Sequence, residues 1–268
     1  MTIHSQLENV GMKILTGKKP VPRRCLLYGV HGIGKSSWAA QAPGAVFFDF
    51  EDGLNDIDCN RTEHLLSMEM VDEACRFLET ESHQFQTLVI DSADWLERRI
   101  WDLVAERGNK KSIEDFEYSK GYKLAGAVWQ KFLKRLDWIR TERQMTVVIL
   151  AHSQIEKQTP PGTESYDRYS PALHKTASAM VQEWCDEVFF ASFQTYTKTE
   201  DEGFGKKRTI ALGGTDRIVR TQESATALAK NRLAMPAEIE FSWAAYAQHI
   251  SGNISGVVVD GSSKKTEA

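Results

Sequence analysis

The stretch that most constrains this chain is a short apolar run that breaks into a glycine-rich turn: Cys25-Leu26-Leu27-Tyr28, then Gly29-Val30-His31-Gly32-Ile33-Gly34-Lys35-Ser36-Ser37. The spacing Gly-x-x-x-x-Gly-Lys-Ser marks a phosphate-binding loop when a buried strand precedes it and a helix follows. Residues 25–28 read as that strand and residues 36–41 as that helix. Gly29, Gly32 and Gly34 allow the tight turn that points backbone N–H groups at phosphate oxygens. The helix starting near Lys35 adds its unsatisfied N–H groups and the positive end of its dipole. Lys35 then supplies a point charge for the β- and γ-phosphates, and the Ser36 hydroxyl a ligand for Mg²⁺. The Gly-x-Gly-x-x-Gly spacing of dinucleotide sites is absent here. The expected ligand is a nucleoside triphosphate held by residues 29–37.

A parallel α/β sheet binds ligands at the carboxyl ends of its strands. The polar residues that end the other apolar runs are therefore the next candidates. Ala45-Val46-Phe47-Phe48 leads into Asp49-Phe50-Glu51-Asp52, where Glu51 is placed to orient and deprotonate the attacking water, and the residues alone do not separate it from Asp49. Thr87-Leu88-Val89-Ile90-Asp91-Ser92 is a Walker B pattern, with Asp91 supporting Mg²⁺ directly or through water. Ser92 is placed to cap the helix that begins near Asp94. The run from Thr146 to Ala151 ends in His152-Ser153-Gln154, and His152 or Gln154 is the candidate γ-phosphate sensor. Between these runs, residues 71–80 and 95–107 have helical spacing. Leu124, Val128, Phe132, Leu136 and Ile139 form the stripe of a long amphipathic helix.

Residues 155–175 lack clear periodicity and read as a long loop, a kind that is usually functional or disordered. There Tyr166, Arg168, Tyr169, His174 and Lys175 interleave aromatic and basic groups, the mixture that stacks bases and neutralises phosphates on single-stranded nucleic acid. A formal net charge of −4 gives no global basic field, so any such contact must come from a local patch. Lys18, Lys19, Arg23 and Arg24 read as a solvated lead into the first strand. A fifth core strand at 187–193, antiparallel strands at 208–212 and 217–221, a last strand at 237–243 and a polar tail complete the chain. The four cysteines are far apart and point to neither a zinc site nor a disulfide framework. No apolar run approaches the roughly 18 residues of a membrane helix, and residues 1–15 lack a signal-peptide core, so a cytoplasmic location with no membrane partner is expected.

Several of these separated motifs converge. Residues 29–36, the acidic strand end at 48–53, Leu88-Val89-Ile90-Asp91-Ser92, the strand leading to His152, and Lys230-Asn231-Arg232-Leu233-Ala234-Met235-Pro236 together resemble the RecA-like P-loop ATPases. More narrowly, they resemble the compact phage-encoded group that includes Sak-type single-strand annealing ATPases. The resemblance spans residues 23–243. It implies an α/β fold with a RecA-like core, a mostly parallel sheet flanked by helices, and an antiparallel C-terminal extension. The corresponding layout is a lead segment at 1–22, an ATPase domain at 23–250 and a disordered tail at 251–268.

The resemblance also implies ATP and Mg²⁺ as cofactors, with Lys35, Ser36, Asp91 and Glu51 carrying hydrolysis. It implies a sensor at His152 or Gln154 and single-stranded DNA bound through residues 155–175, with Tyr166, Arg168, Tyr169 and Lys175 as the contacts. Lys230 and Arg232 correspond to the family's basic pair, which reaches the ATP of a neighbouring subunit in a homo-oligomer; flanking an exposed strand is their plain alternative. The function so implied is a DNA-stimulated ATPase of phage-type recombination, annealing or replication, working in a host cytoplasm beside a single-strand-binding protein. The alternative is a nucleotide-switched assembly or regulatory protein with a protein partner. A small-molecule kinase fits less well, because no acceptor-site lid is evident.

Overall fold

The computed structural model describes residues 16–17, 21–201 and 207–251. Most of the lead segment, residues 1–15 and 18–20, and the tail from 252 onward lie outside these. Strand β1 (Arg24–Gly29) stands inside a mixed sheet, and its alternating side chains face two separate cores. Leu26 and Tyr28 point to one core, Cys25 and Leu27 to the other, and all are fully buried. That is the pattern of a strand covered on both faces.

The chain continues through α1 (Lys35–Ala40), β2 (Ala45–Asp49), β3 (Asn60–Arg61), α2 (Met68–Thr80), β4 (Thr87–Asp91), α3 (Ala93–Arg107) and α4 (Lys120–Glu142). It then forms β5 (Thr146–Gln158), β6 (Tyr166–Pro171), α5 (Lys175–Trp184), β7 (Glu187–Asp201), β8 (Lys207–Arg220), β9 (Glu238–Glu240) and α6 (Trp243–Ser251). The strand order is β3-β2-β4-β5-β1-β7-β8-β9, with β6 paired to β5. Pairs from β3 through β7 are parallel, while β6, β8 and β9 join antiparallel. This is the expected α/β class: a mostly parallel, helix-flanked sheet with an antiparallel C-terminal extension.

The helices cover the sheet unequally. Val71 and Cys75 of α2, Leu96 and Ile100 of α3, Trp129 and Leu136 of α4, and Val181 of α5 pack on one face. Trp38 of α1 with Trp243 and Tyr246 of α6 closes the other, the Trp38 and Trp243 rings meeting edge-on at 4.9 Å. None of the described helices is long and apolar enough to cross a membrane.

Two features of the sheet place the site. First, β5 lies between β1 and β4, so the glycine-rich loop after β1 and Asp91 at the end of β4 are separated by the end of β5, where His152 stands level with Gly29. Second, β7 packs so closely beside the start of the loop that a Cβ on Gly29 would sit 2.4 Å from the Ala191 carbonyl oxygen. Only glycine fits there.

The structure corrects several expectations. Residues 155–175 are not a structureless loop: β5 runs on to Gln158 and turns back as β6, pairing from Gln158↔Tyr166 to Ser153↔Pro171. The polar side chains of that extension carry no apolar signal, so the sequence shows the strand ending at Ala151. Residues 208–212 and 217–221 belong to one long strand, β8, and the last predicted strand is only β9, with Trp243 already opening α6. Arg23 and Arg24 are not solvated. Arg23 pairs with the fully buried Glu187, and Arg24 pairs with Asp186 at 2.9 Å and Asp137 at 3.2 Å.

Candidate active site

The loop between β1 and α1 holds Lys35 almost wholly buried, at 7 % exposure, with Nζ donating to the carbonyls of Gly29 and Val30 at 3.3 Å each. Burial lowers the Lys35 pKa, and the nearby carboxylates of Asp91, Glu51 and Asp94 oppose that shift. Gly34, the residue before α1, has φ +96°, a left-handed conformation that a side chain would strain. The loop is thus a concave backbone with one ammonium folded over it.

Asp91 ends β4 beside this loop, where the Ser36 hydroxyl favours its charged form. Burial pushes its pKa up to about 6, aided by the negative charge of Glu51 and opposed by Ser36 and Lys35. Ser36 and Asp91 therefore offer a hydroxyl and a carboxylate, the hard oxygen donors that suit Mg²⁺. The chemistry of this donor set fits the ion that the sequence implied.

Asp49 and Glu51 separate cleanly. The Asp49 carboxylate turns back on its own chain, accepting the N–H groups of Glu51 at 3.1 Å and Asp52 at 2.8 Å, so it shapes the turn. Glu51 instead reaches across to β4 and accepts the Ser92 hydroxyl. Ser92 is therefore not the side-chain cap of α3, as the sequence suggested: its Oγ bridges Glu51 and Asp94, at 2.9 Å from the latter.

His152 and Gln154 also part company. The His152 Nδ1–H donates to Asp94 Oδ2 at 2.9 Å, its backbone N–H donates to Asp94 Oδ1 at 3.1 Å, and its ring stacks on His31 of the loop at 3.9 Å. Burial raises the Asp94 pKa, but the bonds from His152 outweigh it and hold the carboxyl below its ordinary range. Gln154 points into the hairpin, donating to the carbonyls of Pro171 at 3.0 Å and Leu173 at 3.3 Å. Of the two sensor candidates, only His152 touches the loop.

Glu51, Asp94 and His152 bring ligand atoms within 4.8 Å of one another. Each already has a partner, and hydrogen bonds link Glu51 through Ser92 to Asp94 and on to His152. It lines a cleft of about 560 Å³ together with His31, Trp95 and Arg98. Asp94 was missed as a site residue, because an acid in the first turn of a helix reads as a favourable dipole partner. Its spacing, three residues past Asp91 and on the same sheet edge, was the available signal. Arg217 of β8 was also missed: its guanidinium donates to the Ile33 carbonyl at 3.1 Å.

Other predicted residues lie elsewhere. Lys230 bridges to Val188 of β7, level with Leu26, and its Nζ donates to the Gln182 carbonyl at 2.6 Å. Arg232 pairs with Asp186 at 3.1 Å, next to Arg24 where β1 begins. Both stand toward the amino-terminal end of β1, away from the chain's own loop. The candidate DNA residues differ in their surroundings. Tyr166 is exposed, Arg168 pairs with Glu223 at 2.6 Å, Tyr169 stacks on Phe190 at 4.9 Å, and Lys175 starts α5.

No curated protein matches this chain. Among solved structures, the crystal structure of the RadB recombinase aligns with a TM-score of 0.41 and 12% identity, over 75% of this chain and 80% of that one. The profile of a family described as AAA domain matches residues 21–233, which run from the lead into β1 to just past Arg232. That span contains the phosphate loop, Glu51, Asp91 and His152, and the chain belongs to the AAA domain family of P-loop ATPase folds.

Proposed function

We propose that the protein is a Mg²⁺-dependent ATPase acting on single-stranded DNA in phage-type recombination, annealing or replication. One observation carries the hydrolytic part: Lys35, the Ser36–Asp91 pair and a Ser92-oriented Glu51 converge at the carboxyl edge of β1, β2 and β4. Lys35 neutralises charge on the transferred phosphoryl group, and the loop N–H groups hold the remaining phosphate oxygens. Ser36 and Asp91 hold Mg²⁺, which when bound supplies charge stabilisation to the β- and γ-phosphates. Glu51, fixed by Ser92, takes the proton of the attacking water. His152, anchored by Asp94 and stacked on His31, passes the state of the phosphate site to β5 and its hairpin.

The DNA part of the reading is supported by where that hairpin starts, since β5 and β6 extend directly from the strand that ends at His152. Exposed Tyr166, at the start of β6, is its best-placed contact. In a homo-oligomer with ATP sites at subunit interfaces, Arg232, more than half exposed, is the member of the basic pair that a neighbour can reach.

A second reading, a nucleotide-switched assembly protein with a protein partner, is favoured by the hairpin's other features. Ile155 is 61 % exposed, and Arg168 is neutralised by Glu223. The test is ATP turnover with and without single-stranded DNA across a salt series. DNA stimulation that falls steeply with salt supports the first reading, because phosphate contacts release counterions. Turnover and binding indifferent to DNA would overturn it in favour of the second.

A further inference from the structure

The Arg217 contact links the antiparallel extension of the sheet to the phosphate loop. Arg217 and the Ile33 carbonyl that it bonds are 184 residues apart in sequence. The guanidinium lies over the Phe241 ring at 5.2 Å from its centroid, and its Nη1 is 2.8 Å from where a Cβ on Gly34 would stand. Gly34 thus leaves the space beside the guanidinium, and the Phe241 ring borders the same space, 3.6 Å from that Cβ position.

The route to this position is built into the sheet. Arg217 pairs with Phe193 of β7, yet the next pair is Thr195 with Gly213, so Gln194 faces Gly214, Thr215 and Asp216 together. Such a bulge bends its strand and re-aims the side chains beside it. Here it falls immediately before Arg217, at the level where β7 passes the start of the loop, Gly29 being paired with Ala191.

The Ile33 carbonyl and the Gly34 N–H belong to one peptide unit. A cation on the carbonyl polarises that unit and makes its N–H a stronger donor, as linked hydrogen bonds strengthen one another. In a phosphate-binding loop this N–H is one of those turned toward the anion. We propose that Arg217 is a positioning residue for the nucleotide: acting through the Ile33–Gly34 peptide, it fixes the loop and strengthens its grip on the polyphosphate, so that the β7–β8 hairpin sets nucleotide affinity within the same chain. This rests on residues 29–37 binding a nucleoside triphosphate.

The experiment titrates the full chain with a fluorescent ATP analogue and Mg²⁺, using wild type, Arg217→Gln, Arg217→Lys and Lys35→Ala. Melting temperature without nucleotide and the steady-state kcat and KM for ATP are measured alongside. Arg217→Gln weakens binding about three- to tenfold, the scale of one charge-assisted hydrogen bond at an exposed site. It raises KM with kcat unchanged and leaves the melting temperature within a degree or so, since Arg217 is exposed. Arg217→Lys recovers part of the loss, because the cation remains while the planar fork is gone.

Binding by Arg217→Gln within twofold of wild type, or a loss matched by a fall in melting temperature, overturns the proposal. If wild type itself shows no binding that Lys35→Ala abolishes, the nucleotide reading fails first and this proposal falls with it. Wild-type binding lost only in Lys35→Ala leaves the nucleotide reading standing and rejects Arg217 alone.

Discussion

Asp91 shows what the site costs a single residue. It is 6 % exposed, and burial lifts its pKa to about 6. A carboxyl whose folded pKa exceeds its unfolded value favours the native state while protonated and loses that advantage as pH rises from about 4 to about 6. Above pH 7 the buried charge costs of the order of 2 kcal/mol, so Asp91→Asn raises the melting temperature at pH 8 while abolishing Mg²⁺-dependent nucleotide binding. The gain shrinks toward pH 4, where wild type is protonated, and thermal melts at the two pH values check it. Lys35, Ser36 and Asp91 were legible in the sequence because each sits in a contiguous motif whose chemistry depends on local backbone. Glu51 and Asp49 were not separable in the sequence; the turn in which the Asp49 carboxylate accepts the N–H groups of Glu51 and Asp52 parts them in the structure. Asp94 and Arg217 work through partners 58 and 184 residues distant, and no local spacing encodes such contacts.

At the scale of elements, β1 does two jobs: it launches the loop and it ties down the hairpin behind it. The buried Tyr28 hydroxyl donates within reach of two carbonyls, Tyr169 of β6 at 3.0 Å and Leu228 at 2.6 Å. Tyr28→Phe removes that tie and leaves the Leu228 carbonyl short of a donor, while the Tyr169 carbonyl keeps the Leu228 N–H at 3.1 Å, at a cost of about 1–2 kcal/mol. Urea unfolding measures the loss, and amide exchange should rise first in β6 and around Leu228. The parallel strands β1, β2, β4, β5 and β7 were readable because burial on both faces makes each a continuous apolar run, whereas β3, two exposed polar residues, carries no such signal. The polar half of β5 and all of β6 were not, since two strands that pair mainly with each other need no buried face. The sequence placed α4 correctly but saw only its apolar stripe, while the helix itself runs from Lys120 to Glu142.

At the scale of the whole molecule, an ionic cluster at the end of the sheet opposite the site joins the lead into β1 to β7 and α6. Glu187 is fully buried, pairs with Arg23, and accepts the Tyr246 hydroxyl of α6 at 2.9 Å. Burial raises its pKa, and Arg23 opposes the shift. Arg23→Met would strand that carboxylate and cost about 3 kcal/mol, whereas Arg23→Met with Glu187→Leu recovers most of it, because the apolar pair removes the desolvation penalty with the charge. Denaturant midpoints of the single and double variants test this. This cluster was not legible in the sequence: Arg23 and Arg24 looked like a solvated lead because Glu187 and Asp186 arrive only with β7 and the residue before it.

The central claim, that the strand ends assemble an ATP-hydrolysing site, is tested most directly by the Mg²⁺-dependent release of phosphate from ATP by wild type, Lys35→Ala and Glu51→Gln, with nucleotide affinity measured on the same samples. The account predicts turnover by wild type, loss of both binding and turnover in Lys35→Ala, and in Glu51→Gln retained binding with kcat reduced about 10²- to 10⁴-fold. Turnover by Glu51→Gln equal to that of wild type, or phosphate release that survives Lys35→Ala, would contradict it.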